Sequence, residues 1–74
     1  MLDVYTRPTC IWCIRAKGLL KSKGIPFKNL DINDGEVRKE LKLKAPGIKT
    51  IPQIFQDGKH IGGYEDLVEY LKDY

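Results

Sequence analysis

Glycine and proline punctuation cuts this chain into short pieces, and their order leaves few folds open. Residues 2–6 alternate and are rich in β-formers, which predicts a first strand. Pro8 breaks it, because it has no N–H and disfavours the α region at Arg7. Thr9 is then the expected cap of a helix beginning near Cys10, with Cys13, Ala16 and Leu20 recurring at i, i+3 and i+7 and Leu19 widening the stripe. Gly24, with Pro26 beyond it, stops that helix after about three turns. Residues 27–32 read as a second strand. Asn33-Asp34-Gly35 follows as a turn, with Asp34 capping a helix that carries Val37 and Leu41 and ends at Ala45-Pro46-Gly47. Residues 52–56 read as a third strand, and Asp57-Gly58 is a two-residue hairpin signal leading into a fourth at 59–61. Gly62-Gly63 opens a last helix with Tyr64, Leu67, Val68 and Leu71 on its apolar face.

The order is therefore β-α-β-α-β-β-α, in one α/β domain over residues 1–74. The first βαβ unit is right-handed with parallel strands, the hairpin adds an antiparallel pair, and a four-stranded mixed sheet flanked by three helices satisfies both. A chain of 74 residues buries only about 60% of the surface its unfolded form exposes, so the core is small. No apolar run approaches the roughly 20 residues that cross a bilayer. Residues 1–4 lack the basic and apolar stretches of a signal peptide, so the chain is expected in the cytoplasm, with no membrane partner. Residues 1–30 carry six basic groups and one acid, and residues 31–74 seven and nine. Nucleic-acid binding needs a denser basic patch with interleaved aromatics, so no nucleic-acid partner is expected and a solvated helix face accounts for most of these charges.

Cys10 and Cys13 are the only cysteines. A bridge across two residues closes a tiny loop and removes little unfolded-state entropy, so the pair is a poor structural staple. Zinc would need two more ligands, and His60 is the single histidine. Chemistry is the better reading. A cysteine at a helix start lies among unpaired N–H groups and the positive end of the dipole, and both favour its thiolate. Arg7 adds a nearby positive charge. Cys10 is thus the expected nucleophile toward a disulfide, and Cys13, one turn further on, the thiol that resolves the mixed disulfide.

Three separated motifs resemble the glutaredoxin family, with its thioredoxin-like fold, over nearly the whole chain. They are Tyr5-Thr6-Arg7-Pro8-Thr9-Cys10 through Cys13 followed by Arg15-Ala16-Lys17; Thr50-Ile51-Pro52-Gln53-Ile54-Phe55; and Ile61-Gly62-Gly63-Tyr64-Glu65-Asp66-Leu67. The resemblance implies a dithiol enzyme that reduces protein disulfides and glutathionylated thiols, with glutathione as co-substrate and no tightly bound cofactor, acting as a monomer. Pro52 matches the family's cis-proline, which turns the Ile51 backbone toward the cysteines to pair with the cysteine of glutathione; an ordinary strand-start proline is the alternative. Gly62 and Gly63 let the backbone approach a ligand, and the amides of Tyr64 and Glu65 match those that bind the γ-glutamyl carboxylate. Glu65 or Asp66 is then placed for the γ-glutamyl amine, although a Gly-Gly turn followed by acids also suits a helix start with no ligand. Thr50 belongs to the same loop, while Arg7 and Lys49 match basic positions for the glycine carboxylate. Trp12 stands where the family has an aromatic beside bound glutathione.

The chain departs from the family between its cysteines, where Ile11-Trp12 replaces Pro-Tyr or Pro-Phe. Relatives without that proline include proteins that hold a [2Fe–2S] cluster between two subunits, with the first cysteine as ligand. A cluster-carrying dimer using Cys10 is therefore the alternative function. The bulk of Ile11 counts against it.

Overall fold

The structure is a computed structural model and describes residues 1–73. In chain order it contains β1 (Leu2–Thr6), α1 (Ile11–Ser22), β2 (Phe27–Asp31), α2 (Gly35–Lys44), β3 (Gln53–Gln56), β4 (Lys59–Gly62) and α3 (Tyr64–Tyr70), followed by a 3₁₀ turn at Leu71–Asp73. The sheet order is β2-β1-β3-β4. β1 runs parallel to β2, with Leu2 opposite Phe27 and Thr6 opposite Asp31, and antiparallel to β3, with Leu2 opposite Gln56 and Tyr5 opposite Gln53. β3 and β4 are antiparallel, with an irregularity between Ile54 and Phe55. The expected mixed sheet with three helices is what the chain builds.

The central strand β1 is covered on both faces because its side chains alternate. Leu2 and Val4 join Ile54, the α1 residues Ala16 and Leu20, and Leu67 and Leu71 in one buried cluster. Tyr5 points the other way and packs with Phe55, Leu41 of α2 and Ala45. Cys13, Ala16 and Leu20 are the buried side of α1, as the spacing predicts.

The turns also follow local chemistry. Asp57 (φ 50°) and Gly58 (φ 88°) both lie in the left-handed region that a two-residue hairpin requires. Gly24 (φ 67°) ends α1, its N–H bonding Lys21 O at 3.1 Å while Ile25 N–H bonds Leu20 O at 3.0 Å, the paired closure of a Schellman turn. Asp34 caps α2 by accepting from Glu36 N–H at 2.9 Å.

Several boundaries differ from expectation. Ile32 and Pro52 lie just outside their strands, although Ile32 N–H still bonds Thr6 O at 2.9 Å. β4 extends through Gly62. Thr9 does not cap α1: the cap is Cys10, whose sulfur accepts from Cys13 N–H at 3.3 Å. Leu67 of α3 is buried and Tyr64 partly so, and Leu71 is buried from the 3₁₀ turn rather than from the helix, but Val68 faces water, because the short helix turns only one edge to the sheet.

Candidate active site

The β1–α1 junction sets two sulfurs in contrasting surroundings. Both cysteines are free thiols, Cys10 partly exposed and Cys13 fully buried. Burial works to raise the Cys10 pKa, but the Cys13 side chain, the backbone N–H groups of Cys13 and Trp12 and the Arg7 guanidinium outweigh it and hold the thiol below its usual range. Burial, the hydrogen bond to Cys10 and the charge on that neighbour push the Cys13 thiol up to about 11. The surroundings bias one sulfur toward its thiolate and the other toward its thiol.

The loop before β3 closes over this junction. The Ile51–Pro52 peptide is cis, and the Ile51 carbonyl oxygen lies 3.8 Å from Cys10 Sγ. Thr50 is tied down by Gln53, whose side-chain N–H₂ donates to both its carbonyl and its hydroxyl oxygen at 3.1 Å. That fixes the Gln53 amide with its oxygen toward His60, 2.7 Å away, so His60 Nε2 is the donor there. His60 also stacks on Phe55, with ring centroids 4.7 Å apart.

An open cleft of about 380 Å³ lies between the loop before β3 and the start of α3. Thr50, Ile51 and Pro52 line it from the loop, and Gly63, Tyr64, Glu65 and Asp66 from the start of α3. Trp12, about half exposed, reaches in from α1 with its ring 5.4 Å from that of Tyr64 and the Arg15 guanidinium 4.7 Å above it. Gly62 has φ 130°, and a Cβ there would overlap the Asp66 carboxylate, so the position requires glycine twice over. Asp66 accepts from Gly63 N–H at 3.2 Å and so caps its own helix, which leaves Glu65 the freer of the two acids.

Arg7 and Lys49 do not line this cleft. They border a second depression of about 180 Å³ that shares Ile48, Thr50 and Ile51 with it and also holds Arg38 and Lys42 of α2. The sequence reading missed Gln53, His60, Arg38 and Lys42. For the first two, residence in a matched motif and the lone histidine were the available signals; for the α2 pair there was none beyond charge. Among the described residues, no three His, Cys, Asp or Glu side chains group as a metal site.

Two depressions on either side of one backbone loop, one ending in acids and one in cations, suit a zwitterionic peptide laid past Cys10. Known proteins share the sequence pattern and the fold. The glutaredoxin family profile matches residues 2–61. Glutaredoxin 3 of Escherichia coli (strain K12) is 47% identical over 66 residues, covering 89% of this chain and 80% of its own. Among solved structures, glutaredoxin 1 from Francisella tularensis in complex with cacodylate has a TM-score of 0.79 at 32% identity, covering 97% of this chain and 92% of its own. A buckwheat glutaredoxin–glutathione complex has a TM-score of 0.80 at 29% identity, covering 97% and 68%. Fold, cysteine pair and profile agree, and the chain belongs to the glutaredoxin family, with its thioredoxin fold and a dithiol Cys-x-x-Cys motif.

Proposed function

We propose that this protein is a glutathione-dependent thiol–disulfide oxidoreductase of the cytoplasm, acting as a monomer on glutathionylated thiols and protein disulfides. The observation that carries the reading is the opposite bias of two sulfurs in one helical turn, with Cys10 favoured as thiolate and Cys13 kept protonated. The Cys10 thiolate attacks the glutathione sulfur of a mixed disulfide. A bond forms between Cys10 and glutathione, the original S–S bond breaks, and the substrate leaves as a thiolate that takes a proton from solvent. A second glutathione thiolate then attacks the glutathione sulfur held on Cys10, restoring the Cys10 thiolate and releasing oxidised glutathione.

With a protein disulfide, Cys13 resolves instead. Once Cys10 is in a mixed disulfide its negative charge is gone, and with it the hydrogen bond and the repulsion that raise the Cys13 pKa. Cys13 then loses its proton more readily and attacks Cys10 Sγ; the bond from Cys10 to the substrate sulfur breaks, the substrate leaves as a thiolate that takes a proton, and two glutathiones reduce the Cys10–Cys13 disulfide and leave as oxidised glutathione. In bound glutathione, the γ-glutamyl carboxylate meets the first amides of α3, its amine meets Glu65, the central cysteine pairs with the Ile51 backbone, and the glycine carboxylate faces Arg7 and Lys49. The buckwheat complex supports this placement by its ligand and its fold.

The test is glutathione-dependent reduction of a glutathionylated peptide. Cys10→Ser falls to background, whereas Cys13→Ser keeps most of this activity and loses most reduction of a protein disulfide. Wild-type rates in Cys10→Ser would refute the mechanism. A [2Fe–2S] carrier would use the same Cys10 sulfur, and anaerobic reconstitution with iron, sulfide and glutathione separates the two: a colourless monomer is the expected product.

A further inference from the structure

Helix α1 packs on the sheet through Cys13, Ala16 and Leu20. At about 100° per residue the opposite side carries Ile11, Ile14 and Gly18. Ile11 is 58% exposed and Ile14 56%. A side chain added at Gly18 would meet nothing within 4 Å, so this point is a gap in the helix surface. The three make a smooth apolar strip that starts at the residue after Cys10. The fold does not ask for it, since β-branched residues are mediocre helix formers and both isoleucines are left in water. Arg15 frames the strip on one side and Lys17 and Lys21 on the other, with no acid anywhere in residues 4–30. Across the cleft, beyond the Trp12–Tyr64 ring contact, the rim is acidic with Glu65 and Asp66.

We infer that this strip is a docking track for the polypeptide flanking the sulfur that Cys10 attacks, and that it selects an acidic, apolar segment. The inference rests on the oxidoreductase reading and deepens it by naming the substrate's chemistry. A rise of 1.5 Å per residue puts Ile14 about 6 Å and Lys21 about 16 Å along the axis from Cys10. An extended peptide covers about 3.3 Å per residue. It therefore meets Ile14 about two residues from its own cysteine, where an apolar side chain covers the isoleucines, and Lys21 about five residues away, where an Asp or Glu pairs with the cation. A basic segment is repelled from this side. A small glutathionylated thiol with no flanking chain never reaches the strip.

The experiment compares kcat/KM for three glutathionylated substrates: peptides with leucine two positions and two glutamates about five positions from the cysteine, the same peptides with lysine for glutamate, and cysteamine. Both chain directions are synthesised, since the strip fixes distance and not polarity. The wild type is expected to favour the glutamate over the lysine peptide by about fivefold at low salt in one direction, and to lose most of that preference near 0.5 M salt. The double variant Ile14→Gln/Lys21→Glu, with both changes on the solvent side, loses or inverts the preference while its turnover of glutathionylated cysteamine stays at the wild-type rate. Equal kcat/KM for both peptides in the wild type, or a preference that neither salt nor the double variant moves, overturns the track while the oxidoreductase reading stands. Failure to turn over any of the three overturns both.

Discussion

The two faces of the sheet are sealed in different ways. Toward α1 and α3, seven apolar residues form one cluster, each no more than 1% exposed. Toward α2 only four do, and the two that α2 and its cap contribute, Leu41 and Ala45, keep 7% and 8% exposure. This thinner face leans on polar contacts instead. Tyr5 Oη donates to Glu40 Oε1 at 3.0 Å and accepts from Lys44 Nζ at 3.1 Å, Lys44 pairs with Glu40 at 2.9 Å, and the Lys44 ammonium sits 5.6 Å from the Tyr5 and Phe55 ring centroids. The reacting pair is built on the dry face, where burial can raise Cys13, while the wetter face carries the cationic depression. The cysteine pair sits over the more deeply buried cluster, and the cationic rim over the more exposed one.

That contrast can be broken by substitution. Leu20→Ala removes the centre of the dry cluster and is expected to cost about 3 kcal/mol in urea unfolding, a large share of the stability of so small a domain. It should also make Cys13 accessible to alkylation; a loss below about 1 kcal/mol would mean the two faces are equivalent. Gly62→Ala adds a Cβ where Asp66 stands and where the backbone is left-handed, with an expected cost of about 2 kcal/mol and a raised KM for glutathione, while Cys10 alkylation stays unchanged. Tyr5→Phe leaves the packing and removes the hydroxyl that joins Glu40 to Lys44. Its expected cost is about 1 kcal/mol, with no change at Cys10.

The smallest effect is a pH dependence. Hydrogen bonds from Lys44 and then Tyr5 hold the Glu40 carboxyl below its usual range. A depressed carboxyl stabilises the fold above the ordinary glutamate pKa, and that contribution fades as the pH falls through the lower folded value. Since Glu40 and Lys44 are partly in water, the expected share is under about 0.5 kcal/mol, and Glu40→Gln should flatten the acid limb of the stability curve by that amount.

Much of this was legible in the residues. The Asp57-Gly58 turn, the Gly24 stop and the Cys13, Ala16 and Leu20 stripe follow from local conformational preference and helical period, which neighbours elsewhere in the chain scarcely alter. The elements facing the site from the β3 loop and α3 were legible through their motifs. What escaped depends on tertiary placement. Cys10 caps its own helix because the sulfur is turned back to Cys13 N–H, a rotamer that no composition rule supplies. Gln53 meets His60 seven positions away because the hairpin pairs His60 with Phe55, and Gln53, two residues from Phe55, lies on the same face of the sheet. Arg38 and Lys42 reach the depression beside Arg7 because α2 buries little besides Leu41 and presents its charged side there.

The central claim is the split between two thiols three residues apart. It is tested most directly by alkylating the reduced protein across a pH series and reading each cysteine separately by mass spectrometry. The account predicts that Cys10 reacts at neutral pH with a midpoint below the ordinary thiol range, while Cys13 stays unmodified until the solution is strongly alkaline. Two cysteines that react together, with midpoints at or above the free-thiol value, would contradict it.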